Sequence, residues 1–172
     1  MSFLHLTLTL DPLPPELNNR LSSPRTLPGV RFFRLVEVPD DEACRQRLYP
    51  LVREGVLDDP GHQGGFESYD EFCERIYSRS YRDHAATQFL AASEEEWVGL
   101  CSLTLKGDKT ARAGLTVVKQ SGRGQGIATE LKRRSILTCL NHGVRRVTTR
   151  VHETNVPMLT INRHLGFTEE TG

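Results

Sequence analysis

"KQSGRGQGIATELKRRS", residues 119–135, sets Gly122, Gly124 and Gly126 at alternate positions and then turns helix-like. The apolar run before it, "RAGLTVV", ends at Val118, so a strand, a tight turn and a helix starting near Gln125 follow one another within a few residues. That order gathers backbone N–H groups at one point with the positive end of a helix dipole behind them, which makes an anion site. Glycines keep side chains away from the amides and allow positive φ, and Arg123 adds a charge-assisted donor at the lip. Two common phosphate loops are excluded by spacing: there is no GxxxxGK[ST], and no third glycine completes GxGxxG from Gly122 or Gly124. A kinase glycine loop would lead into another strand, and this one enters a helix.

The rest of the chain bounds what the loop serves. With 172 residues, 37% hydrophobic and 26% charged, it has the size and make-up of one soluble domain. Its 22 basic and 22 acidic residues cancel, so no net field draws it to nucleic acid or an acidic membrane. Cys44, Cys73, Cys101 and Cys139 lie apart with no metal-ligand spacing, which predicts reduced core thiols and no metal. Neither a signal segment nor a long apolar run is present, and the expected location is the cytoplasm.

Alternation in "FLHLTLTL", residues 3–10, predicts a strand, and residues 11–29, with five of the nine prolines, read as an extended connector. The main body is then residues 30–172. It begins with a strand "VRFFRLVEV", a helix from "PDDEA" to about Arg53, and a second helix with Ser68 as N-cap in "SYDEFCERIY". A three-strand meander comes next: "ATQFLAA", "WVGLCSLTL" and "RAGLTVV". After the glycine loop, the helix to about His142 is closed by Gly143, "RRVTTRV" is a strand, and "VPMLTINRHLGF" is a final helix with Pro157 in its first turn.

"LTVVKQSGRGQGIATELK" resembles the acyl-CoA pyrophosphate loop of the GNAT superfamily of N-acetyltransferases, Q/R-x-x-G-x-G/A, through Arg123, Gly126 and Ala128, preceded by Thr116 and Val118 of the strand end. "ETNVPMLTINRHLGF" resembles the family's second motif through Asn155, Met158, Asn162, Leu165, Gly166 and Phe167. The likeness spans about residues 30 to 167. It implies an α/β fold with a mixed, mostly antiparallel sheet flanked by helices, whose fourth and fifth body strands splay around the pantetheine arm of acetyl-CoA. Thr116, Val117 and Val118 would pair with that arm, and the amides of Gly124, Gln125, Gly126, Ile127 and Ala128 would hold the pyrophosphate. Asn155 and Asn162 match positions that contact CoA. The run Lys132 to Arg134 reads as a solvated helix face, or as a contact to a nucleotide phosphate.

The chemistry is less well marked. The family often places a tyrosine in the last helix to protonate the leaving thiolate, and no tyrosine follows Tyr81. Many relatives carry a basic carboxylate on the fourth strand, and "RAGLTVV" has none. Glu153 is the expected base, with His152, Asp108, His84 or a water relay as alternatives and His152 expected to face solvent or a backbone carbonyl. The acceptor region is expected at "GVLDDPGHQGG" and the aromatics Phe66, Tyr69, Phe72, Tyr77 and Tyr81, with acids Asp58, Asp59, Glu67, Asp70 and Glu71 among them; the alternative is a solvated acidic face over core aromatics.

Only Thr168 to Gly172 come after Phe167, where the family pattern continues with two strands, so those strands are expected to be missing or truncated. The leader is expected to cover the exposed sheet edge, on its own molecule or by exchange within a homodimer, or else to lie beside residues 30–38. The function implied is transfer of an acetyl group from acetyl-CoA to a primary amine of a small molecule or protein N-terminus. The alternative is an inactive CoA-binding module for regulation or assembly.

Overall fold

The computed structural model describes residues 2–171. The strands are β1 (Phe3–Thr9), β2 (Val30–Arg34), β3 (Gln88–Ser93), β4 (Glu96–Leu105), β5 (Thr110–Val118), β6 (Arg146–His152) and β7 (Thr168–Glu169). They form one seven-stranded sheet in the order β2-β3-β4-β5-β6-β1-β7. Only the β5–β6 pair is parallel. The helices are α1 (Pro15–Leu21), α2 (Glu42–Leu57), α3 (Tyr69–Phe72), α4 (Ile127–Asn141) and α5 (Val156–His164).

Helices cover both faces, which is why β3 and β4 are buried along nearly their whole length. On one face Leu48, Leu51 and Val52 of α2 pack with Phe72, Tyr77 and Trp97. On the other, Leu17 and Leu21 of α1 and Ile127, Leu131 and Ile136 of α4 pack with Leu6, Leu8 and Phe167. Asp41 caps α2 by accepting from the Cys44 N–H at 2.9 Å, and Ser68 caps α3 as expected, its Oγ accepting from the Glu71 N–H at 3.2 Å. All four cysteines are free thiols. Among the described residues no helix is long and apolar enough to cross a membrane.

Three local expectations are corrected. Residues 11–29 are not extended throughout: α1 forms within them because Pro15 suits a first helical turn and Leu17 and Leu21, four apart, bury one face. The strand from Val30 stops at Arg34 and becomes a 3₁₀ turn, Leu35–Glu37, where the Glu37 carboxylate accepts the Arg34 N–H at 2.6 Å. The helix begun by Ser68 is α-helical only over Tyr69–Phe72 and goes on as a π-helix, Cys73–Tyr81, burying Tyr77 and Tyr81.

Two features shape the middle of the sheet. Cys101 faces Thr116 but Leu103 faces Ala113, so Gly114 and Leu115 together oppose Ser102 and form a bulge that bends β5. On its other edge β5 pairs with β6 only from Thr110↔Arg146 to Arg112↔Thr148. β6 keeps its outer edge covered. Of the alternatives for the leader, the structure has addition on the same chain: β1 pairs with all of β6, from Phe3↔His152 to Thr9↔Arg146. After the last motif the chain forms the two-residue β7, which pairs with β1.

Leu6 of β1 is wholly buried in the core under α4 and α5. Leu6→Ala is expected to lower unfolding free energy by about 2–5 kcal/mol, read as a reduced midpoint in urea denaturation.

Candidate functional site

Where β5 and β6 part, the sheet opens into a cleft of about 830 Å³. Its walls are residues 114–118 of β5 and 149–152 of β6, with the start of α4 at one end and α5 along one side. Thr149 marks the closed end, its Oγ1 donating to the Ala113 carbonyl at 3.2 Å just beyond the last ladder pair.

The glycine loop borders the mouth. Gly124 and Gly126 have φ of +80° and +89°, a region that side chains disfavour, and Gly126 stands at the N-cap of α4. A glycine there offers no side-chain oxygen to the first turn. The N–H groups of residues 124–129 accordingly donate to no acceptor among the described residues. They form a concave donor surface at the positive end of α4, suited to a phosphate group.

Cations gather around it. The Arg25 guanidinium stands where a Cβ on Gly126 would be, and Arg123, Lys132 and Arg150 line the cleft. Among the described residues no cluster of His, Cys, Asp and Glu could hold a metal ion.

A family model described as the acetyltransferase (GNAT) family matches residues 49–167, spanning the meander, the glycine loop and α5. The chain belongs to the GNAT acetyltransferase family. Solved structures of similar fold include a GCN5-related N-acetyltransferase from Sphaerobacter thermophilus, with a TM-score of 0.72 at 20% identity over 98% of this chain and 48% of that one. A tandem GNAT protein from the clavulanic acid biosynthesis pathway gives 0.69 at 23% identity, over 98% of this chain and 50% of that one. The chain thus spans about half the length of these two. The NatC complex bound to Gag peptide and CoA gives 0.62 at 12% identity, over 83% of this chain and 86% of that one. No curated protein matches in sequence.

The structure brings most of the expected cofactor-binding residues to this one GNAT cleft. Thr116, Val117, Val118, Arg123, Gly124, Gly126, Ile127, Ala128 and Asn155 all line it, while Gln125 contributes only its place in the loop. Arg123 is occupied at the lip: it donates to the Val118 carbonyl at 2.9 Å and pairs with Asp58 at 2.7 Å. The Asn155 Oδ1 accepts the Met158 N–H at 3.3 Å and caps α5. Asn162 does not line the cleft; it is wholly buried, and neither its Oδ1 nor its Nδ2 has a partner among the described residues.

The candidate bases separate. Glu153 is exposed and outside the cleft lining, its carboxylate accepting the Ser2 N–H at 3.2 Å and the Ser2 Oγ–H at 2.6 Å. Those bonds hold its pKa below the usual carboxylate value. Asp108 and His84 are also outside the lining. His152 is within it and, contrary to expectation, buried. Its Nδ1 meets the Thr154 Oγ1 at 2.7 Å and accepts the Thr154 N–H at 3.2 Å, which leaves the ring proton of the neutral form on Nε2. Of the five expected acids only Asp58 and Asp59 border the cleft, and Phe72, Tyr77 and Tyr81 are core.

The "KRR" run is not a solvated face. Lys132 is 3% exposed and Arg133 8%. Arg133 donates to both Glu130 oxygens, at 2.8 and 2.7 Å, and Arg134 adds a third bond at 3.0 Å. Glu130 also accepts the Arg25 N–H at 3.3 Å and so fastens the segment that overlies the loop. Burial raises its pKa, but the bonds from Arg133, Arg25 and Arg134 together outweigh it, leaving the carboxyl below its ordinary value. Sequence reasoning missed this because Lys and Arg on a helix normally point to water, which is how the run Lys132 to Arg134 read.

Glu130→Ala leaves Arg133 buried without its anion and is expected to cost about 3–5 kcal/mol in denaturant unfolding. Because the folded pKa is depressed, the contribution of Glu130 is complete above the unfolded carboxyl's pKa, about 4.3, and is lost as pH falls through the folded value. The acid limb of the stability profile should be shallower in the variant.

Proposed function

We propose that the chain transfers an acetyl group from acetyl-CoA to a primary amine of a small molecule or a protein N-terminus. The observation that carries the reading is the unbonded N–H row of residues 124–129 opening into the gap between β5 and β6. In this reading the pyrophosphate rests on the amides of Gly124 to Ala128 with Arg123 and Arg25 beside it. The pantetheine arm pairs with the free edge of β5 at Thr116 to Val118, and Asn155 contacts it from α5. Bound acetyl-CoA supplies the thioester; the chain binds it, orients it and keeps the arm from water. Asp59 at the mouth, whose neighbour Asp58 is already paired with Arg123, favours a cationic amine. The peptide and CoA bound by the NatC complex fit a peptide-amine acceptor on this fold.

The arrangement of Glu153 favours a second role for it over that of base. A carboxylate bonded twice by Ser2 and held below its normal pKa fastens the leader and is a weak proton acceptor at neutral pH. The amine's proton then leaves to water at the mouth of the cleft. An inactive CoA-binding module is the competing reading, favoured by the absence of tyrosine from α5.

CoA is expected to raise the melting temperature saturably, corresponding to about 2.7 kcal/mol at 100 times Kd. Gly126→Val, which places a branched side chain among the donors, should remove most of that rise while the free protein still melts cooperatively. An equal rise would contradict the pyrophosphate placement. Thiol release from acetyl-CoA with an amine panel marks the enzyme; stabilisation by CoA without release marks the binding module. Glu153→Gln is expected to keep kcat within about tenfold, where loss of a general base costs about 10²–10⁴-fold.

A further inference from the structure

Lys132 is a buried amine that nothing in the fold explains. It lies on the inward face of α4 and lines the cleft, yet among the described residues its ammonium makes no hydrogen bond and no ion pair. Its neighbours Arg133 and Arg134 are both paired with Glu130. The Phe167 ring lies beside it, with Nζ 5.9 Å from the ring centroid. A buried charge without an anion costs folding free energy, and a leucine or methionine would pack there without that cost.

Its position says what such a charge can meet. Lys132 lies about 9 Å farther along α4 than Gly126, at about 1.5 Å per residue, away from the phosphate cradle. A nucleotide-tailed thioester anchored on residues 124–129 directs its sulfur end away from the cradle and into the cleft.

The other donors lining the inner cleft are engaged or shut in. Thr116 donates to the Cys101 Sγ at 3.6 Å, and Thr149 to the Ala113 carbonyl. The His152 Nε2 is enclosed, and Arg150 stacks 4.0 Å over Phe3. On α5, the lining residues Pro157, Met158 and Ile161 carry no acidic proton.

We propose that Lys132 faces the sulfur of the acyl donor and protonates the departing thiolate. This rests on the acyl-CoA reading of the cleft. The amine nitrogen forms its bond to the acyl carbon, and the carbon–sulfur bond breaks with its electron pair on sulfur. The Lys132 proton passes to sulfur, giving the free thiol and a neutral amine. The proton shed by the nitrogen enters water, from which Lys132 is recharged.

Burial lowers the lysine's pKa from its ordinary value, with the Cys101 thiol of β4 acting against it. That brings donor and acceptor closer, since a thiol such as cysteine titrates at about 8.5. Arg150 and His152 on β6 are the other titratable groups lining the inner cleft, and α5 adds none to the lining.

The test is the ionisation of CoA itself, followed by ultraviolet thiolate absorbance of the full-length protein with bound CoA across pH. A cation within contact distance lowers an acid's pKa by about 1–3 units. The wild-type complex should therefore ionise that far below free CoA, and Lys132→Met should return the thiol to the free value or above. The Met variant should still be stabilised by CoA, and its own melting temperature should not fall. Lys132→Arg should keep the thiol pKa low yet slow transfer, since guanidinium holds its proton.

A wild-type thiol pKa equal to that of free CoA overturns the proposal whatever the variants do. An equal lowering in wild type and Lys132→Met overturns it too, with the acyl-CoA reading intact. Failure of the wild type to bind CoA removes that reading and the proposal together.

Discussion

β5 and β6 are joined by three residue pairs and then separate, and the molecule is organised around that short junction. The bulge at Gly114 and Leu115 bends β5 away, and the Thr149 hydroxyl takes the first carbonyl that the ladder abandons. Beyond that point two strand edges face each other across a gap. Unpaired main-chain groups inside a protein cost free energy unless water or a ligand serves them, so the gap is stable only as a wet or filled groove. It is a natural template for an extended, amide-bearing molecule lying alongside β5.

Such a gap weakens a sheet, and the surrounding structure offsets the weakness at two places. On the far side of β6, β1 supplies a complete antiparallel ladder, so the strand that is free on one edge is held along the whole of the other. Above the gap, Glu130 joins the first turns of α4 to Arg133, Arg134 and the Arg25 backbone. The donor row is thereby fixed without any side chain capping it.

Much of this was legible in sequence, for identifiable reasons. The meander is marked by apolar runs separated by polar turns, and α4 by a glycine loop before it and Gly143, with φ of +71°, after it. These are local signals, and local geometry obeys them. The helix α1 was obscured because five prolines dominate its surroundings, although Pro15, Leu17 and Leu21 carry a helical pattern. The burial of Lys132 and Glu130 could not be read, since both residue types normally point to water and only the tertiary packing of α4 encloses them. The Arg123–Asp58 pair joins residues far apart in sequence and leaves no trace in either segment. Glu153 was legible as a residue near the end of β6, but its bonds to Ser2 depend on where the leader lies.

The place of β1 also bears on how the chain acquires its shape. Ser2 and Glu153, bonded to each other in the finished protein, are 151 residues apart. During synthesis β1 emerges ahead of the other strands and must wait for nearly all of them before its partner exists. Leu6, Leu8 and Leu10 are meanwhile without their cover, and contacts of such long sequence separation slow folding. From the emergence of β1 until β6 is made, the nascent chain therefore carries an unpaired, adhesive stretch prone to stray association.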